Sequence, residues 1–301
     1  MASALAGSAS AACRTAVRCP QVAAGPPRAD VACPGALPSR RRALRYAIGF
    51  TALIGGWGAQ AGLQPAKAAT QSPMEKVLDN PNWPEEYPLK ADDFARYDES
   101  PDANFYQQPR FVTHIDDGAI HALTQYYETV FPPSGQKDTA LLDICSSWIS
   151  HYPEGYKAGK ISGLGMNAAE LERNPALTDW TVRDLNKDPT LPYDDNTFDV
   201  VTNAVSVDYL TRPLEIFDEV HRVLKPGGLA VMSFSNRCFP TKAISIWTSS
   251  SDSEHIWIVG SYFHYSAGGK FEEPKCKDIS PRQGFFGGGD PMYVVYSRKK
   301  V

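Results

Sequence analysis

Long apolar runs are missing from this chain: the stretch Tyr46–Trp57 holds about 12 residues where a bilayer crossing needs ~20. Cysteine is sparse, with six among 301 residues, and Cys13, Cys19 and Cys33 all lie in the first 69. The other three, Cys145, Cys238 and Cys276, are odd in number and widely spaced, which excludes a disulfide framework and offers no zinc pattern. They read as ordinary buried thiols, with a redox pair of Cys145 and Cys238 as the alternative. Acids are nearly absent from residues 1–69, where seven arginines and one lysine face Asp30 alone. Beyond that segment the imbalance reverses to 22 basic against 33 acidic residues, a formal charge of −11. A surface of that sign repels phosphate backbones and argues against nucleic acid as substrate. No internal repeat is present.

The first 69 residues, basic and rich in Ala, Ser and Gly, have the composition of an organelle transit peptide. A second signal sits within them: Ser39-Arg40-Arg41-Arg42, the short apolar core, then Ala66-Lys67-Ala68 in the pattern of a cleavage site. The paired arginines resemble a twin-arginine export signal. Together they look like the two-stage address of a chloroplast thylakoid-lumen protein, cleaved near Ala68 and left without a membrane span. An uncleaved interfacial anchor is the alternative. The remaining ~230 residues suit one domain of ordinary core size.

Residues 70–108 are polar, broken by Pro81, Pro84, Pro88 and Pro101, and read as an extended lead-in to a domain over 109–301. A helix is expected from Gly118 to about Val130, with Ile120, Leu123, Tyr127 and Val130 on one face. Apolar runs place strands at 139–144, 161–164, 181–183, 198–205 and 229–234. Asn167 and Glu170 have the spacing of a capping box. Before the fifth strand, Leu214, Phe217, Val220 and Leu224 recur at helical spacing, Pro213 sits in the first turn, and Pro226-Gly227-Gly228 is expected to end the helix. Further helices are expected over 242–247 and through Ile256–Phe263, a flexible turn at Gly284 and Gly287–Gly289, and a last strand over 290–296. Strands alternating with helices predict an α/β fold: a doubly wound, mostly parallel sheet with helices on both faces. Its ligand would lie beyond the strand C-termini, at the switch point beside the first strand.

The run Leu191-Pro192 to Phe198-Asp199-Val200, followed by a helix ending Arg222-Val-Leu-Lys-Pro-Gly-Gly228, resembles the class I S-adenosylmethionine-dependent methyltransferases, in particular the type 11 branch. The resemblance covers roughly residues 139–236. It implies a Rossmann-like, seven-stranded-type sheet closed by an antiparallel edge strand, S-adenosylmethionine as cofactor and a small-molecule acceptor. By position it assigns Asp143 and the loop Cys145, Ser146, Ser147 and Trp148 to the cofactor cradle, and Asn167 to the ribose. Asp184 and Leu185 fall on the adenine, and Asn203 through Asp208 face the methyl group. Tyr106 and Arg110, in a segment that commonly forms a lid, become candidate acceptor contacts. His114, His151 and Asp208 are the candidate bases for an acceptor that must lose a proton. The structural alternative pairs Arg110 with Asp116 or Asp117 and leaves His114 to cap the helix.

Two departures stand out. Cys145, Ser147 and Ile149 occupy the places of a GxGxG-type loop, and Gly165 the place of a ribose-binding acid. Ser146 and Ser147 are therefore expected to offer hydroxyls to the cofactor carboxylate, Asn167 an amide to the ribose, and Trp148 a stacking surface. Two functions stay open. One is methyl transfer to a small molecule, quinone-like or otherwise lipid-soluble. The other is a catalytically silent binding or assembly factor in the thylakoid lumen, with a thylakoid protein as partner. A thiol function at Cys145 is a distant third.

Overall fold

The structure, a computed structural model, describes residues 71–281 and 289–301. The targeting signals and the turn expected at Gly284, Gly287 and Gly288 lie outside the described residues. A lead-in with the single-turn helix α1 (Asp102–Phe105) is followed by α2 (Asp117–Val130), β1 (Gln136–Ile144), β2 (Ala158–Gly165), α3 (Ala168–Arg173), β3 (Asp179–Val182) and β4 (Phe198–Ala204). Then come α4 (Pro213–Val223), β5 (Leu224–Phe234), α5 (Ser245–Ser249), α6 (Asp252–Tyr265), β6 (Lys275–Asp278) and β7 (Tyr293–Arg298). Among the described residues no helix is long and apolar enough to cross a membrane.

Seven strands form one sheet in the order β3-β2-β1-β4-β5-β7-β6. The first five in that order run parallel, and β7 is antiparallel to both β5 and β6. Strand alternation divides the core in two. Leu142, Ile144, Val201, Ala230 and Met232 face one side, where α4 and α6 bring Phe217, Val220, Ile256 and Phe263. Leu141, Val200, Leu229 and Val231 face the other, covered by Ala119, Leu123 and Tyr127 of α2. Burial on both faces explains why the strands read as continuous apolar runs. Each fully buried Val, Leu or Phe contributes about 1.5–3 kcal/mol.

Several expected boundaries shift. The α4 helix ends at Val223, and Pro226-Gly227-Gly228 lies inside β5 as an irregularity: Leu224 pairs with Phe198 and Leu229 with Val200, so extra residues bulge out between them. Gly227 takes φ 77° there, which suits a residue without Cβ. Helix α5 begins at Ser245 instead of Lys242. The last strand, β7, is interior to the sheet, because Lys275–Asp278 adds the edge outside it. Neither β1–β2 nor β3–β4 is joined by a helix, so the strict alternation of strand and helix is broken just where a Gly-rich loop would lead into one.

Candidate active site

The strand order reverses between β1 and β4, and a cleft opens beyond the C-terminal ends of the strands there. The empty space there, open solvent at the mouth included, is about 1350 Å³. Asp143, the last acid of β1, forms its floor. Ser146 Oγ and Ser150 Oγ donate to Oδ2 at 2.6 and 2.7 Å, and Thr202 Oγ1 donates to Oδ1 at 3.0 Å. Burial pushes this carboxyl up to about 6, and the three hydroxyls limit the rise. Its role is to fold the loop over itself: the Ser146 hydroxyl is turned inward, and the Ser147 hydroxyl accepts the Trp148 N–H. The expectation that both serines present hydroxyls to a ligand is corrected for Ser146, whose proton is spent on Asp143, whereas Ser147 lines the cleft with its O–H left to donate.

Trp148 is not over the cleft. Its indole N–H donates to the Val112 carbonyl at 2.9 Å and its ring meets Phe111 edge-on, which leaves the hollow open. Asn167 is likewise spent elsewhere: its Oδ1 caps α3 and its Nδ2 donates to the Tyr106 and Gln107 carbonyls. The capping box is incomplete, since Glu170 instead accepts the Arg110 N–H at 2.6 Å. Asn203 is fully buried under the loop, its Nδ2 on the Ile144 carbonyl. Asp208 is 2% exposed and lies behind the cleft wall with Oδ2 unpartnered, and burial pushes its carboxyl up to about 8.

Asp184 and Leu185 reach the cleft rim just past β3. Asp184 Oδ1 accepts the N–H groups of Asn186 and Lys187, a turn that aims the rest of the carboxylate outward. The Leu185 N–H donates to no acceptor among the described residues. Cys145 and His151 line the cleft at φ 54° and 56°, joined by His114 at 65° and Val205 at 43°. Left-handed backbone at non-glycine residues is costly and gathers at functional sites. The turn that a glycine would allow is thus present at Cys145 without the glycine. Burial pushes the free Cys145 thiol up to about 12, aided by the nearby Asp143 charge, so it is no thiolate nucleophile. Burial lowers the His151 imidazole to about 4, with His114 adding to the effect, and its Nδ1 is unpartnered.

The lead-in covers the cleft. Arg96 holds Asp102 in a two-point contact at 2.7 and 2.8 Å, and Lys242, 1% exposed, reaches both Asp98 and Asp102 at 3.2 Å. Asn186 Nδ2 also donates to Asp102, which ties the lid to the turn carrying Asp184. Behind that strap, Tyr106, Arg110 and His114 face the cleft. Arg110 does not pair with Asp116 or Asp117, and Asp116 itself caps α2 through the Ala119 N–H. Sequence reasoning missed Arg96, Asp102, Glu170, Phe239 and Lys242, because a lone charge or ring in a loop or a short helix carries no pattern.

For an adenosyl ligand the residues fit in part. A donor and acceptor pair stands at the rim, the hollow is free of indole, and the floor is ordered. Where a ribose acid would stand, a Cβ on Gly165 would meet the Ser146 carbonyl oxygen at 2.0 Å. Among the described residues no group of His, Cys, Asp or Glu is arranged to hold a metal.

Residues 160–232 match the family model of the methyltransferase domain of type 11. The chain is 44% identical over 72 residues to the ubiquinone/menaquinone biosynthesis C-methyltransferase UbiE of Ruegeria sp., covering 24% of this chain and 28% of that one. It is 28% identical over 186 residues to a demethylmenaquinone methyltransferase of Staphylococcus epidermidis, covering 54% of this chain and 77% of that one. A solved phosphoethanolamine N-methyltransferase 2 of Haemonchus contortus is 12% identical with a TM-score of 0.40, over 60% of this chain and 52% of that one. Residues 160–232, from β2 into β5, thus match a methyltransferase domain of type 11, and the parallel sheet with its antiparallel β7 and the cleft at the strand reversal are what that resemblance implies.

Proposed function

We propose that the protein transfers a methyl group from S-adenosylmethionine to a small, ring-bearing acceptor of quinone type, within the chloroplast thylakoid lumen. The observation that carries this reading is the open cleft at the strand reversal, rimmed by Asp184 and Leu185, in a chain matched as a methyltransferase domain. Relatives named for ubiquinone and menaquinone biosynthesis support the acceptor class. The basic leader and its paired arginines support the location, which fractionation of chloroplasts holding the tagged full chain tests; recovery in the stroma would refute it.

When bound, S-adenosylmethionine supplies a sulfonium methyl already activated for transfer, so the protein's part is positioning. Asp184 would accept from the adenine amino group and the Leu185 N–H would donate to the ring edge. Tyr106 and Phe239, both packed on Phe105, exclude water from the cleft lining. His151 is neutral at physiological pH and takes the proton from an acceptor that must lose one only as a weak base, because burial lowers it to about 4. Asp208 retains its own proton up to about pH 8 and does not serve as that base.

A silent binding factor is favoured by one observation, the Ser146 carbonyl filling the place of a ribose acid. Calorimetry with S-adenosylhomocysteine separates the two readings. The enzyme binds it at micromolar concentration and Asp184→Ala weakens binding about tenfold, a loss typical of one charged hydrogen bond. A flat titration leaves only the binding factor.

A further inference from the structure

Five cationic side chains line the cleft: Arg96, Arg110, Arg183, Arg237 and Lys242. Four are neutralised by carboxylates, namely Arg96 and Lys242 on Asp102, Arg183 on Asp188, and Arg237 on Asp290. Arg110 is the exception among the described residues. Its side chain makes one hydrogen bond, from Nη2 to the Phe105 carbonyl at 3.0 Å. Otherwise it packs on rings, 4.3 Å from the Phe105 centroid and 5.3 Å from that of Phe239. A guanidinium so placed packs on the rings and has donors left over.

The residue spans the cleft mouth. Its own N–H is anchored on Glu170 of α3, beyond β2, while its guanidinium lies over Phe239, past the end of β5. That is the side away from Asp184 and Leu185, which follow β3 at the other end of the parallel strands. The charge therefore overhangs the part of the cleft left for the acceptor. Tyr209 packs against Phe239 with ring centroids 6.0 Å apart, so this part is walled by flat apolar faces.

We propose that Arg110 is the acceptor-specificity residue, and that it selects a planar ring bearing an ionised oxygen, such as a phenolate or a hydroxyquinone anion. This rests on the methyltransferase reading for its name as acceptor, but the anion site itself does not. Charge-assisted contacts from a guanidinium to such an oxygen are roughly twice as strong as neutral ones, and the Phe105 and Phe239 rings hold the guanidinium in place for them.

The test is an absorbance titration of the full chain with hydroxynaphthoquinone, anionic at neutral pH, and with methoxynaphthoquinone, the same ring without the charge. The expected result is a preference of about tenfold or more for the anion in the wild type. Arg110→Met abolishes the preference by weakening only the anion, Arg110→Lys restores part of it, and S-adenosylhomocysteine affinity stays unchanged in both. Equal binding of the two quinones by the wild type, or no binding of either, overturns the proposal without recourse to any variant. So does a matching loss of S-adenosylhomocysteine affinity in Arg110→Met, since Arg110 would then read the cofactor carboxylate. A flat S-adenosylhomocysteine titration together with an intact anion preference would sink the methyl-transfer reading and leave the anion site standing.

Discussion

The Ser146 carbonyl oxygen stands against Gly165 so closely that a Cβ on Gly165 would come within 2.0 Å of it. The contact follows from the loop's course: the Ser146 N–H continues the parallel ladder by donating to the Leu164 carbonyl at 2.8 Å, which draws the chain across the end of β2. A carboxylate is therefore absent at residue 165 for a steric reason, and the loop and the glycine are one adaptation.

Restoring the acid should consequently fail. Gly165→Asp is expected to cost about 1–3 kcal/mol by overpacking against main chain, and to weaken S-adenosylhomocysteine binding instead of improving it. Thermal unfolding and calorimetry on the same variant check this; a tighter, equally stable variant would show that the loop yields.

The lid strap depends on Lys242. Its removal in Lys242→Met leaves Asp98 and the carbonyl of Ser100 without their cation while Arg96 still holds Asp102. Asp98 is partly solvent-exposed and Asp102 keeps Arg96, so the change is expected to loosen the lead-in without unfolding the sheet. Limited proteolysis should then cut the lead-in between residues 90 and 114 before the sheet, whereas unchanged digestion would show that Arg96 suffices.

Asp208 makes stability depend on pH with a definite sign. Its carboxyl, ordinarily at 3.8, is raised to about 8, so between roughly pH 4 and 8 the folded chain holds a proton that the unfolded chain has released. Stability from this group falls as pH rises through that window, and Asp143, raised to about 6, adds to the fall in the lower half. Asp208→Asn removes the larger share. Its Tm should exceed that of the wild type at pH 8 by at least about 3 °C, with the gap closing toward pH 4; a constant gap would mean that packing, not ionisation, sets the difference.

His151→Phe should lower kcat by about 10²–10⁴ for an acceptor that must lose a proton, with little change in cofactor affinity. An acceptor supplied already ionised should escape most of that loss. Equal loss with both acceptors would assign His151 to packing.

Much of the sheet was legible because parallel strands buried on both faces write continuous apolar runs: β1, β2 and β4 begin and end near the expected places, whereas β5 ends as expected but begins at Leu224. Edge strand β6, four residues with alternating burial, left no such trace. At the site, Asp184 and Leu185 lie at the rim where the family pattern put them, and Tyr106, Arg110, His114 and His151 reach the cleft. Trp148, Asn167 and Asn203 do not, because each satisfies a main-chain carbonyl nearby: Val112, Tyr106 with Gln107, and Ile144. Such competition between a ligand and the chain's own carbonyls has no periodic signature.

Sequence alone determined the α/β class, the mostly parallel character of the sheet, the negative charge of the domain and the absence of glycines after β1, since these rest on local pattern and composition. Tertiary structure decided that Asp143 turns the serines inward, that Ser146 fills the space beside Gly165, and that Arg110 alone among the cleft's described cations lacks a carboxylate. Those outcomes depend on groups far apart in sequence meeting at fixed distances, and desolvation then sets their charge; neither the meeting nor the burial is written in any single stretch of residues.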